Sequence, residues 1–157
     1  MPKREASELR TTLHLMPLQH LFFTCYKYGE LKPLFNDQPV KDPAKQSGCV
    51  LVSALASNDY LLDHLKREYK KTEVISFRDH HFYTGKDLER ILSEKGKTSL
   101  LVTTRKDAVK LNELKQNIMD LGLSFFILDV EVEFLFNGRK KFEEVVRRYV
   151  KDARSIV

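Results

Sequence analysis

Glycine is scarce in this chain, at six residues in 157, and none of the six falls in a G-x-x-x-x-G-K-[ST] loop. That absence excludes a self-sufficient P-loop enzyme, because such a loop needs glycines to bring backbone N–H groups onto phosphates. Cysteine is sparser still. Cys25 and Cys49 form no C-x-x-C pair and no zinc spacing, so neither a redox pair nor a metal site is expected, and Cys49 reads as core material. No run of about eighteen apolar residues exists. The start Met1-Pro2-Lys3-Arg4-Glu5-Ala6 has no apolar stretch behind its charges, which argues against a signal peptide. A cytoplasmic chain is the expectation. Internal repeats and low-complexity tracts are also lacking.

What is present is enough apolar material, 42% of residues, for one domain with a real core. The net charge of +5 is unevenly placed. Between residues 138 and 154 stand Arg139, Lys140, Lys141, Arg147, Arg148, Lys151 and Arg154, against Glu143, Glu144 and Asp152. Such a patch can meet nucleic acid or anionic lipid. No aromatic interleaving or nucleic-acid motif accompanies it, so it reads as a solvated helix face and no nucleic-acid partner is expected.

From Cys49 onward the sequence alternates between strand and helix patterns. Cys49 to Leu55 is an unbroken apolar run, as a strand buried on both faces reads. Asn58 is placed to cap a helix carrying Leu61, Leu62, Leu65 and Tyr69. Val74 to Phe77 predicts a second strand. Thr84 and Asp87 have capping-box spacing before a stripe of Leu88, Ile91 and Leu92 that ends ahead of Gly96. Ser99 to Thr103 predicts a third strand, and Thr104 with Asp107 repeats the capping spacing. One helix is then expected through Leu111, Leu114, Ile118 and Leu121 to Gly122. Ser124 to Leu128 predicts a fourth strand that residues 129–136 extend as an edge. Phe142, Val145, Val146, Tyr149, Val150 and Ala153 predict a closing helix. This alternation implies an α/β, Rossmann-like, mostly parallel sheet with helices on both faces. Residues 1–48 do not share the rhythm and are expected to form a junction segment. It holds a helix-like start, an added strand in the aromatic stretch Leu21 to Gly29, and a loop through Pro39 and Pro43; residues 49–157 form the α/β domain.

In such a sheet, ligands bind beyond the carboxyl ends of the parallel strands. Two corners qualify: Phe77-Arg78-Asp79-His80-His81-Phe82-Tyr83-Thr84 and Thr103-Thr104-Arg105-Lys106-Asp107. The strands ending near Ala54, Phe77 and Thr103 should run parallel and bring both corners to one crevice. His80, past a strand end with Asp79 beside it, suits proton chemistry near neutrality or, equally, hydrogen bonding within the loop. Thr103, Thr104 and Lys106 at a helix start suit phosphate, and Thr104 also serves as a cap. A metal site is not expected, since Asp79, His80 and His81 have only the distant Asp129 and Glu131 as further ligands. His14, His20 and His64 read as surface or interface groups.

The pattern F-x-D-H-H-x-[FY], followed about twenty residues later by T-T-x-K-D-A-V-K-L, resembles the C-terminal part of the tetraacyldisaccharide 4'-kinases, the lipid A 4'-kinases of Gram-negative bacteria. The resemblance covers roughly residues 49–136 and extends more weakly over Leu18 to Phe35. Arg78 stands where the family has Pro, and Ala54-Leu55-Ala56-Ser57-Asn58 where it has Gly-Ile-Ala-x-Pro. The resemblance implies transfer of the γ-phosphoryl group of ATP, with Mg²⁺, to the 4'-hydroxyl of a tetraacyldisaccharide 1-phosphate at the inner face of the cytoplasmic membrane. It further implies that ATP and Mg²⁺ are held mainly by an N-terminal P-loop domain, absent from this chain. The histidine matching His80 supports the catalytic aspartate of that domain, and Thr103, Thr104 and Lys106 line the same cleft. Two other classes are open on the residues. Asp79-His80-His81 is the tripeptide of DHH-type phosphoesterases, though no D-x-D precedes it. The closing helix alone would suit a basic, non-enzymatic binding module.

Overall fold

The computed structural model describes residues 3–38, 48–96 and 100–154. Its elements run α1 (Lys3–Thr12), β1 (Thr24–Pro33), β2 (Gly48–Ser53), α2 (Asp59–Glu68), β3 (Lys71–Ser76), α3 (Gly85–Glu94) and β4 (Leu100–Thr104). They continue with α4 (Arg105–Asn112), α5 (Lys115–Asp120), β5 (Phe125–Phe134), a 3-10 turn (Leu135–Asn137) and α6 (Gly138–Arg154). The chain divides into two compact units, Tyr28–Asp129 and the pair Met1–Lys27 with Val130–Val157. The loop expected at Pro39 and Pro43 and the strand start expected at Ser99 lie outside the described residues.

The sheet order is β1-β5-β4-β2-β3. β2 runs parallel to β3 and β4, and β4 parallel to β5, as the alternation predicts. β2 and β4 are buried at every position, which continuous apolar runs require of strands covered on both faces. Because side chains alternate, Val50, Val52, Leu101 and Phe125 meet Leu88 and Ile91 of α3, Leu111 of α4 and Ile118 of α5 in one cluster. Leu51 and Val102 point the other way and are equally buried. Gly48 opens β2 where a Cβ would stand 2.9 Å from the Lys71 carbonyl oxygen, so the close pairing with β3 depends on its missing side chain.

Three local expectations are corrected. The helix expected from Thr104 to Gly122 is broken between α4 and α5. There Glu113 and Leu114 donate to carbonyls three residues back, tightening the turn while Leu111 and Ile118 both stay in the core. Gly122 does end α5 as expected: it has φ +62, its N–H bonds Met119 O, and Leu123 N–H bonds Ile118 O. Asn58 stands at the start of α2 with helical backbone (φ −111, ψ −1), not the extended geometry of a side-chain cap, and its amide donates to Ser76 Oγ at 3.1 Å. Finally, β5 is one ten-residue strand but not an edge. β1 lies outside it, and Leu34 N–H just past the end of β1 donates to Phe125 O at the start of β5, so the two are antiparallel.

The smaller unit is built around three rings. Phe22, Phe134 and Phe142 meet pairwise with centroids 4.9–6.3 Å apart, two of the pairs edge to face. Leu135 N–H donates to Phe23 O. Phe136 and Asn137 then take left-handed backbone conformations (φ 55 and 57) to enter α6. α6 forms as its periodicity predicts, yet its stripe stays open, with Tyr149 75% and Val150 44% exposed. Among the described residues no helix is long and apolar enough to cross a membrane.

Candidate functional site

Parallel pairing sets the strand ends level. Ser53 lies opposite Ser76, and Val52 opposite Thr103, so β2, β3 and β4 all stop at the same end of the sheet. Phe77 N–H extends the β2–β3 ladder by one bond to Ser53 O. The loop then turns sharply, with His81 N–H bonded to Arg78 O and His80 in the left-handed region at φ 60. A non-glycine residue held there is a local strain that the rest of the loop must support.

That support is the capping box predicted at Thr84 and Asp87. Thr84 Oγ1 accepts from Asp87 N–H, and the Asp87 carboxylate accepts from Thr84 N–H and hydroxyl at 2.8 Å. The same carboxylate oxygen meets His81 Nε2 at 3.0 Å. Burial alone would raise the Asp87 pKa, but the bonds from His81 and Thr84 outweigh it and hold the carboxyl below its usual range. His81 also stacks on Phe77, which lies edge-on to Tyr83, and the Arg90 guanidinium sits over the Phe77 ring. The two histidines therefore separate: His81 is built into the loop, while His80 stands 77% exposed with its Nε2 3.5 Å from Asp79 Oδ2.

The second corner reaches the first directly. Lys106 Nζ lies 3.3 Å from Asp79 Oδ1, linking the start of α4 to the loop after β3. Thus Asp79, His80 and Lys106 form one polar cluster beyond the carboxyl ends of β3 and β4. Partial burial opposes ionisation of Asp79, but Lys106 and His80 more than offset it and lower its pKa. The two threonines turn inward. Thr103 is fully buried and donates to Val52 O at 2.9 Å, and Thr104 caps α4 by accepting from Asp107 N–H.

Asp107 is the residue sequence reasoning passed over. Its carboxylate is fully buried, accepts Ala54 N–H at 3.1 Å and the Thr104 hydroxyl at 2.9 Å, and lies 3.5 Å from Lys110 Nζ. It joins the corners after β2 and β4 and lies beside Tyr83, whose hydroxyl burial and the Asp107 charge keep un-ionised far above the usual phenol range. Its capping spacing marked it as a cap residue, and nothing local signalled that its side chain would cross to another strand. Farther along the rim, Asp129 takes a bidentate bond from Arg105 (2.7 Å for each nitrogen) and lies 3.4 Å from Lys32. With Asp79 and Asp129 each paired to cations, no group of three metal-ligating side chains converges among the described residues.

A sequence model of the family described as tetraacyldisaccharide-1-P 4'-kinase matches residues 4–151. Among curated proteins, tetraacyldisaccharide 4'-kinases from three bacteria are similar. That of Bacteroides thetaiotaomicron is 30% identical over 155 residues, covering 89% of this chain and 40% of the relative. Those of Bacteroides fragilis (32%, covering 89% and 40%) and Phocaeicola vulgatus (33%, covering 91% and 41%) are similar to the same extent. The chain thus spans about two fifths of the length of these relatives. No solved structure matches it. The match runs through both strand-end corners and across nearly all of the sequence, and on that ground the chain belongs to the tetraacyldisaccharide-1-P 4'-kinase family.

Proposed function

We propose that this chain is the C-terminal half of an ATP-dependent kinase that phosphorylates the 4'-hydroxyl of a tetraacyldisaccharide 1-phosphate, a lipid A precursor, at the inner face of the cytoplasmic membrane. The observation that carries the reading is the Asp79–Lys106 pair, which joins the two family motifs into one charged group at the carboxyl end of a parallel sheet. Phosphoryl transfer asks mainly for positioning and charge stabilisation, and this group can supply both. His80 is the residue free to reach out of it, and its role is to support the catalytic aspartate of a P-loop domain across the cleft. Asp79 orients His80, Lys106 offers positive charge to phosphate oxygens, and Thr103 with Thr104 holds the corner rigid from within. ATP and Mg²⁺ do not fit the residues of this chain, which has neither a phosphate-binding glycine loop nor a converging set of metal ligands among the described residues. They belong to the P-loop portion in this reading.

The test is to incubate the purified chain with magnesium ATP and tetraacyldisaccharide 1-phosphate, then repeat with the P-loop portion of a relative fused to it. No turnover by the chain alone and turnover by the fusion is the expected result. Turnover by the chain alone refutes the half-enzyme reading. In the active fusion, His80→Ala should lower kcat by about 10² to 10⁴-fold with little change in KM, the range for lost acid–base assistance. A change confined to KM would make His80 a binding residue instead.

A further inference from the structure

The chain reverses its course across the sheet at β2. It leaves β2 for β3 on one side and returns past β2 to β4 on the other, so the ends of β2 and β4 frame the point at which open α/β sheets receive ligands. Here that point is held by the chain's own anion. The Asp107 carboxylate, fully buried, accepts Ala54 N–H just past β2 at 3.1 Å and the Thr104 hydroxyl at the end of β4 at 2.9 Å. Thr104 Oγ1 in turn accepts Asp107 N–H, which fixes the first turn of α4. Lys106, one residue earlier in that turn, reaches past the end of β2 to Asp79 in the loop after β3, at 3.3 Å. Tyr83, farther along that loop, is buried beside the Asp107 charge, and its ring meets those of Phe77 and His81 edge-on with centroids 5.1 and 5.6 Å away. One side chain therefore bears on the corners after β2, β3 and β4.

Stability does not account for this arrangement. A buried ion pair such as Asp107 with Lys110 (3.5 Å) is generally no more stabilising than a well-packed apolar pair of the same volume, because both charges lose their hydration. The Lys110 ammonium is buried and makes no hydrogen bond among the described residues, which weakens the pair further. What a carboxylate does that a leucine cannot is to take hydrogen bonds from two strand ends at once and so fix the distance between them. We propose, on the basis of the kinase reading above, that Asp107 is a positioning residue for phosphoryl transfer: it holds the β2 corner, the start of α4 and the loop after β3 in the one arrangement that lets Lys106 and His80 serve the same reacting group.

The experiment replaces both buried charges together, Asp107→Leu with Lys110→Met, so that neither is orphaned. It is made in the chain alone and in the fusion with the P-loop portion of the Bacteroides fragilis relative. Thermal melts should show both proteins folded, and amide exchange at Ala54 and His81 should quicken while Leu51 and Leu101 stay protected. In the fusion kcat should fall on the order of 10²-fold with KM little changed, the effect of misplacing reacting groups by about 1 Å. Asp107→Asn with Lys110→Met returns the oxygen that Ala54 N–H and the Thr104 hydroxyl use, and should recover most of the lost kcat. If the leucine variant does not fold, Thr104→Val takes its place; it removes one of the two bonds to the carboxylate without adding volume, and should lower kcat by a smaller factor at unchanged KM. Parent kcat in the folded leucine or valine variant overturns the proposal. So does a loss that the asparagine variant does not recover, which would assign the effect to the Asp107 charge and not to its hydrogen bonds. A parent fusion without turnover refutes the kinase reading instead. Exchange in the chain alone then decides: faster rates at Ala54 and His81 support the hold of Asp107 on the corners, and unchanged rates overturn it.

Discussion

Residues 28–129 and the pair of segments outside them solve the same folding problem to different degrees. The larger unit closes its own core: two of its strands are buried at every position, and α3, α4 and α5 bring leucines and isoleucines to one face of the sheet. The smaller unit has helices of good amphipathic pattern and a cluster of phenylalanine rings, yet leaves most of its apolar side chains in water. Pattern is therefore not burial. A helix stripe offers a surface for packing, and only a surface that packs against it turns the stripe into a core.

The comparison makes Asp107 the most sensitive position in the larger unit. Asp107→Ala should cost about 3–5 kcal/mol, because it strips the nearby Lys110 of its countercharge and leaves the Ala54 N–H without an acceptor. Urea unfolding measures this, and a loss below about 1 kcal/mol would show that the hub is not part of the core's support. Truncations sharpen the contrast between the units. Leu111→Ala, at a fully buried site, should lose about 2–5 kcal/mol, whereas Val150→Ala in the chain alone should stay within about 0.5 kcal/mol. Equal losses would erase the distinction drawn between them.

The smallest effect is acid sensitivity. The Arg105 hydrogen bonds, against opposing burial and with help from Lys32, hold the Asp129 pKa below the ordinary value of 3.8, and Asp87 is likewise lowered. A carboxylate with a depressed folded pKa contributes stability that is complete above 3.8 and is lost as pH falls through the lower folded value. Stability of the larger unit should therefore drop below about pH 4, and Asp129→Asn should flatten that part of the curve in acid titration followed by circular dichroism. An unchanged curve would mean that the Arg105 bond is solvent-screened to insignificance.

Much of the site was legible because its signals are local. Apolar runs and capping spacings predicted β2, β4, the starts of α3 and α4, and the two corners at a common sheet end, since strand period, helix period and cap geometry each span only a few residues. Thr84 with Asp87 is such a case, and the structure forms the full reciprocal box there. What the chain alone could not announce is whatever depends on residues far apart in sequence meeting in space. The pairing of β1 outside β5, the reach of Asp107 from the start of α4 to Ala54, and the separation of His81 toward Asp87 from His80 toward Asp79 are all of this kind. The same holds for α6: its sequence determined that it is an amphipathic helix, but only the tertiary structure decided that its apolar face stays open, because burial is a property of what packs against a surface and not of the surface itself.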